Sequence, residues 1–133
     1  MKYVVFDTDI ASRTHKGTLT GPIAGRLAMV VPVLSFVTVG ELTKWTAARN
    51  RSQRRRDALD RWVDRRQAIW CDRPIARTWG ELAAAADRRG RPRPQNDMWI
   101  AACCLAEGLP LATRNVKDYE DFVHHHGLVL ITE

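Results

Sequence analysis

Three acids in this chain stand where a carboxylate could do chemistry. Asp7 ends the apolar run Tyr3-Val-Val-Phe6, Glu41 lies in Ser35-Phe-Val-Thr38-Val-Gly-Glu41-Leu42, and Asp97 follows Asn96. A short run of aromatic and β-branched residues predicts a strand buried on both faces, as in parallel sheets. In open α/β sheets, ligands gather beyond the carboxyl ends of the strands, and Asp7 stands at such an end. Each acid also has an ordinary explanation. An Asp after a strand makes an Asx turn. Thr38-x-x-Glu41 has the form of a capping box. Asp97, in the first turn of a helix, complements the helix dipole. Brought together, the acids repel: two carboxylates ~4 Å apart at an effective dielectric of about 20 do so by roughly 4 kcal/mol. A divalent cation offsets that. Mg²⁺ and Mn²⁺ prefer oxygen ligands, keep several waters, and use few carboxylates together with substrate phosphate. The chemistry open to such a cluster is activation of water and an in-line displacement at phosphorus.

The elements that must position these acids alternate along the chain. After Asp7, Thr8-Asp9 is suited to cap a short helix through Ile10-Ala11-Ser12. Gly17 to Gly21 reads as a loop, and Pro22 suits the first turn of a second short helix with Ile23 and Leu27. Met29 to Ser35 predicts a strand in which Pro32 places a break or an edge. Leu42, Trp45 and Ala48 continue from the capping box at helical spacing. Arg49 to Arg66 predicts a further helix, with Leu59, Trp62 and Val63 as one narrow apolar stripe. Ile69-Trp70-Cys71 is a short extended piece. Ile75, Trp79, Leu82, Ala83 and Ala86 form a helical stripe ended by Gly90. Arg91-Pro-Arg-Pro94 is a stiff loop. Asn96 is expected to cap a helix from Asp97, with Ile100, Ala101, Cys104 and Leu105 facing inward and Gly108 as its stop. Leu109 to Thr113 predicts a third strand, Val116 to Phe122 a short helix, and Leu128 to Ile131 the last strand. Strands alternating with helices indicate an α/β fold in three layers, α/β/α, with a central, mainly parallel sheet of four to five strands.

Composition narrows the classes. A chain of 133 residues with 45% apolar residues and five Trp is expected to form one domain, 1–133, with a real core, and is not a disordered segment. The net charge of +6 suits an anionic partner. The three Cys are odd in number and two are adjacent, which excludes a disulfide framework and a zinc-ligand pattern and fits a reducing, cytoplasmic setting. The N-terminal apolar run is too short for a secretory signal, and no stretch approaches the ~20 residues of a membrane span. No helix-turn-helix pattern supports a DNA-binding regulator. Adjacent His point apart, so His124-His125-His126 is expected to be a surface loop and not a metal site. Cys103-Cys104 is expected to pack in the core.

Four stretches carry a family resemblance: Phe6-Asp7-Thr8-Asp9, Ser35-x-x-Thr38-x-x-Glu41-Leu42, Asn96-Asp97-x-x-Ile100-Ala101-Ala102, and Leu111-Ala-Thr113-Arg114-Asn115-x-x-Asp118-Tyr119. In order, spacing and total length the chain resembles the PIN-domain ribonucleases, and within them the VapC toxins of bacterial toxin–antitoxin pairs. The resemblance implies a PIN-like fold, Asp7, Glu41 and Asp97 as an acidic triad for Mg²⁺ or Mn²⁺, and endonucleolytic cleavage of RNA. It also implies Thr8 and Thr113 as supports of the site, a VapB-type antitoxin as partner, and a homodimer. Many relatives carry an acid where this chain has Asn115. Asp118, one helical turn later, is expected to supply the fourth acid, while Asn115 orients a water or a phosphate. Arg114 and Lys117 are expected beside the scissile phosphate. The Arg-rich run, Arg49 to Arg66, is either a solvated face or a phosphate contact. Trp45 and Trp62 either pack in the core or line a groove for the antitoxin or a second copy. A catalytically silent PIN-like module that binds RNA as an adaptor is the alternative; it would leave mutually repelling carboxylates without a purpose.

Overall fold

The computed structural model describes residues 2–49 and 51–133. Among them run β1 (Tyr3–Phe6), α1 (Thr8–Lys16), α2 (Pro22–Arg26), β2 (Val31–Ser35), α3 (Phe36–Ala48), α4 (Gln53–Asp64), β3 (Gln67–Ile69), α5 (Arg73–Arg88), α6 (Gln95–Glu107), β4 (Leu111–Ala112), α7 (Val116–His126) and β5 (Leu130–Ile131). The five strands form one parallel sheet in the order β3-β2-β1-β4-β5. The extended piece after α4 is thus a full member of the sheet, displaced toward the N-terminus from Ile69-Trp70-Cys71. The order reverses at β1, whose neighbours are β2 on one side and β4 on the other. That reversal opens a crevice at the carboxyl ends of β1 and β4.

Alternation along the strands builds two cores. Val5, Val33, Ile69 and Leu111 face a layer made by α5, α6 and α7, including Ile75, Leu82, Ile100 and Phe122. Val4, Phe6, Leu34 and Ala112 face the other layer, with Ile10, Ile23, Leu42 and Leu59 from α1 to α4. Each of the Val, Leu, Ile and Phe side chains among these, once fully buried, contributes about 1.5–3 kcal/mol. Trp79 of α5 stacks on Trp99 of α6, ring centroids 4.9 Å apart, and Phe36 of α3 meets Trp99 edge-on. Cys103 and Cys104 are buried, and burial pushes the Cys103 thiol up to about 12.

Several local expectations change. Met29 is almost fully exposed, and β2 starts two residues later. Pro32 marks no edge, because β2 is paired on both sides. The N–H of Val31 donates to Lys2 O on the β1 side, so the Pro32 nitrogen faces the β3 side, where pairing begins only at Val33. The proline therefore costs no ladder bond. The Arg-rich run is not one helix from Arg49: α3 ends at Ala48, and Ser52 caps α4, its Oγ accepting from Arg55 N. The Val116 helix continues to His126, which places the three His in its last turn, beside the orphan carbonyls, and not in a loop. No described helix is long and apolar enough to cross a membrane.

Candidate active site

Three helix starts bring the acids together, and each starts differently from expectation. Asp7 itself, not Thr8-Asp9, caps α1: its Oδ1 accepts from Ile10 N at 2.8 Å. Asp9, in the first turn of α1, is taken by Arg13 one turn further on. Ser35, not Thr38, caps α3, with its Oγ accepting from Thr38 N at 3.2 Å. Glu41 is therefore no part of a capping box; it lies further into the helix, beyond reach of the first turn's N–H groups. Pro94, not Asn96, stands at the start of α6 without any side-chain cap. Asn96 turns instead to Glu41, its Nδ2 donating to Oε2 at 3.3 Å.

Released from capping, Glu41 is held by α1. Thr8 Oγ1 donates to Glu41 Oε1 at 2.6 Å and lies 3.0 Å from Thr38 Oγ1, which in turn neighbours Ser35 Oγ. On the β4 side, Asp7 N donates to Ala112 O, and Thr113 Oγ1 donates to Asp7 Oδ2 at 2.5 Å. The Thr113 hydroxyl also accepts from Asn115 N. Asp97 accepts a long bond, 3.4 Å, from the Tyr119 hydroxyl. Thr8 and Thr113 each bond one acid, Thr8 to Glu41 and Thr113 to Asp7. Asn96, expected only as a helix cap, and Tyr119 were not singled out as site residues from the sequence, although both lie inside the stretches that carried the resemblance.

The electrostatics are those of an uncompensated acidic site. Asp7 is only 4% exposed. Burial pushes its carboxyl up to about 6; the bonds from Thr113 and Ile10 N–H pull the other way, while the charges of Asp9 and Asp97 add to the rise. Asp97 is also raised, by its own burial first, then by Asp118 and Glu41, against the Tyr119 bond and Arg93. Tyr119 is pushed up by burial and by Asp97 and Asp7, so its hydroxyl stays a donor. Among the described residues no ion pair reaches Asp7, Glu41, Asp97 or Asp118. Nor do any three His, Cys, Asp or Glu side chains there close into a ready metal cage. The donor set still fits a hard cation. All its atoms are carboxylate oxygens, and Mg²⁺ takes one or two carboxylates and fills the rest of its shell with water. Each oxygen of Asp7 and Glu41 has accepted one bond and keeps a second acceptor site.

The fold has close parallels. The PIN domain family model matches residues 3–121. The chain belongs to the PIN domain family. Within that family, it is 29% identical over 102 residues to Ribonuclease VapC1 of Haemophilus influenzae (strain R2866), covering 74% of this chain and 76% of that protein. VapBC2 from Rickettsia felis, in a crystal structure bound to a DNA fragment from its promoter, superposes with a TM-score of 0.81 at 21% identity, over 100% of this chain and 99% of that one. VapBC-1 from nontypeable Haemophilus influenzae gives a TM-score of 0.81 at 24% identity, over 99% and 98%. DNA-bound VapBC from Salmonella typhimurium gives 0.79 at 22%, also over 99% and 98%. The five-stranded sheet and its helical layers are those of a PIN fold.

The other expected residues of this PIN domain are placed less uniformly. Asp118 lies in the first turn of α7 and is felt by Asp97. Asn115 precedes it, exposed, with no side-chain capping bond. Lys117 is exposed. Arg114 is committed elsewhere: its Nε donates to Glu133 Oε1 at 2.6 Å and its Nη2 donates to Thr20 O. Glu133 also accepts from Ile23 N, so Arg114 ties the end of the chain to the start of α2. Trp45 lines a groove of about 360 Å³ between α1, α3 and α4, together with His15, Thr46, Arg49, Arg55 and Leu59. Trp62 lies outside the groove lining, covered by the Arg66 guanidinium 4.5 Å above its ring and by His15 at 5.2 Å.

The raised carboxyl of Asp7 has a thermodynamic consequence. The folded state binds this proton more tightly than the unfolded chain does. Its contribution to metal-free stability is therefore full below the unfolded value of 3.8 and is lost as pH rises through about 6. At ~1.4 kcal/mol per pKa unit the loss is about 3 kcal/mol. Urea denaturation in EDTA should show wild type losing stability relative to Asp7→Asn over that window. A difference that stays constant from about pH 4 to about pH 7 would show that Asp7 titrates as in the unfolded chain.

Proposed function

We propose that this chain is a VapC-type endoribonuclease that uses Mg²⁺ or Mn²⁺ to cleave RNA phosphodiester bonds. It acts as the toxin of a cytoplasmic toxin–antitoxin pair, with 1–133 as a single PIN-like domain. The observation that carries the reading is Asp7: a nearly dry carboxylate at the crevice of a PIN fold, with no cationic partner among the described residues and with the charge of Asp97 near enough to raise it further. The likeness to Ribonuclease VapC1 supplies the substrate class.

In this reading Asp7, Glu41 and Asp97 hold the ion, and Asp118 adds a fourth charge at the rim. When bound, the ion supplies a water of lowered pKa and neutralises charge gathering on the phosphate oxygens. The chain's own contribution is orientation. Thr113 and the Ile10 N–H fix both oxygens of Asp7. Thr8 and Asn96 fix those of Glu41. The Tyr119 hydroxyl leans on Asp97. Asn115, exposed at the start of α7, is set to orient substrate.

A VapB-type antitoxin is proposed to seat an apolar segment in the groove at Trp45, and a second copy of the chain to form a homodimer. Lys16, Arg49, Arg51 and Arg55 make the groove rim basic, which suits acidic flanks on that segment. Trp45 sits one helical turn beyond Glu41, so a segment in the groove ends close to the acids, and an Arg from it could pair with them.

Wild-type protein with Mn²⁺ should cleave mixed RNA and lose that activity in EDTA. Asp7→Asn and Asp97→Asn should reduce cleavage to background while matching or exceeding the wild-type melting temperature in EDTA, because each relieves like-charge repulsion. A variant that unfolds without metal would make its carboxylate structural. Asp118→Ala should weaken Mn²⁺ affinity by roughly 10–100-fold, and a wild-type titration in that variant would remove Asp118 from the site. In pull-downs with the cognate antitoxin, Trp45→Ala should lose most of the capture; undiminished capture would place the interface elsewhere.

A further inference from the structure

Arg93 lies between two prolines, four residues before Asp97. We propose that Arg93 is a substrate-positioning residue that grips an RNA phosphate next to the scissile bond. The proposal rests on the ribonuclease reading and names the cation that reading lacks. Four acids surround the crevice, and RNA brings more negative charge to it. One bound ion leaves the flanking phosphates unmet. Arg114, expected from the sequence to meet them, is occupied by Glu133 and Thr20.

Arg93 is placed and free to do so. Gly90, at φ +67°, turns the chain out of α5, and Arg91 N closes that turn on Ala86 O. Pro92 and Pro94 then fix φ on either side of Arg93. Pro94 begins α6, with its carbonyl accepting from Met98 N. The loop is thus a short rigid arm ending at the helix that carries Asp97. Arg93 is half-buried and close enough to Asp97 to draw its proton affinity down. Yet among the described residues no carboxylate lies within ion-pair distance of it. Its Nε donates only to Pro92 O, at a long 3.4 Å. Both terminal amino groups, the pair that clasps a phosphate in bidentate fashion, have no protein acceptor there. Holding back from direct pairing with the acids keeps the guanidinium available and spares the carboxylates for a metal ion.

The test uses the full chain with a short single-stranded RNA. In Mn²⁺, Arg93→Gln should raise KM about tenfold with a much smaller change in kcat, since phosphate gripping is uniform binding. The slope of log KM against log salt should fall by about 0.7, the increment for one phosphate contact on a single strand. Arg93→Lys should restore the slope and only part of the affinity, lacking the planar fork. An unchanged KM and slope would overturn the proposal. So would a variant that shifts only Mn²⁺ affinity or the acid limb of the pH profile, because Arg93 would then act through Asp97. The ribonuclease reading is judged separately, by whether wild type cleaves at all. If it does not, fluorescence titration of the same RNA into Asp7→Asn, with and without Arg93→Gln, still decides. An equal salt slope, or no RNA binding by the Asp7→Asn parent, overturns the role of Arg93.

Discussion

The structure depends on keeping Asp7 ionisable in a place where water barely reaches it. The position is forced by topology. β1 is the strand from which the sheet winds in both directions, so the residue after Phe6 enters the crevice shared with β4. A carboxylate there has left most of its hydration behind. It is retained by a backbone N–H at the start of α1 and a hydroxyl at the end of β4, which together offset part of the desolvation without neutralising the charge. A salt bridge would have stabilised the acid more and made it useless to a cation. What remains is a group poised near neutrality, facing others of its own sign. Clustered carboxylates without an internal counter-ion are what a divalent cation needs, and they are costly to any fold without one.

The same economy explains why so many hydroxyls and amides face inward at this edge. Ser35, Thr38 and Thr113 are completely buried, and Thr8 nearly so. Buried hydroxyls need partners, and here they find one another and the acids. The Ser35–Thr38–Thr8 contacts lead to Glu41, and Asn96 closes on its second oxygen. Because α1, α3 and α6 each supply a member, the orientation of Glu41 reports on the packing of three helices at once. None of these neighbours brings formal charge, so orientation is gained without changing the acidic balance of the crevice.

How far this was legible in the sequence follows from which forces are local. The strand Tyr3–Phe6, the stripe from Ile75 to Ala86 and the stop at Gly108 rest on periodicity and turn chemistry within a few residues, and they stand where the pattern put them. The three acids were legible because each follows a recognisable element boundary. The identity of the caps was not. Asp7 or Thr8, Ser35 or Thr38, and Pro94 or Asn96 differ by one to three residues, and the choice between them is made with tertiary partners: Thr113 for Asp7, Thr8 for Thr38, and Glu41 for Thr8 and Asn96. Pro32 looked like an edge signal because the sequence does not say on which side a neighbouring strand begins. Arg114 looked like a substrate contact because Glu133 is distant in sequence and adjacent in space. Local rules predict what an element is; they cannot see which long-range partner a polar side chain will prefer.

The acidic crevice and the Trp45 groove are not independent features of the surface. Both are built from α1 and α3. Thr8 and Ser12 are one turn apart on α1, the first bonded to Glu41 and the second lining the groove. Glu41 and Trp45 are one turn apart on α3. The interval between site and groove is filled by the α1–α3 contact itself, where Thr8 and Thr38 hydroxyls meet. That contact is short, polar and local, whereas the other flank of the site is braced by the Trp79–Trp99 stack and the packing of α5 on α6. Anything seated in the groove therefore bears on α1 and α3, which hold Glu41 through Thr8, while Asp97, the rigid arm of Arg93 and Asn96, the second partner of Glu41, stand at the start of α6. Glu41 is the acid held from both sides, and the groove touches only one of them.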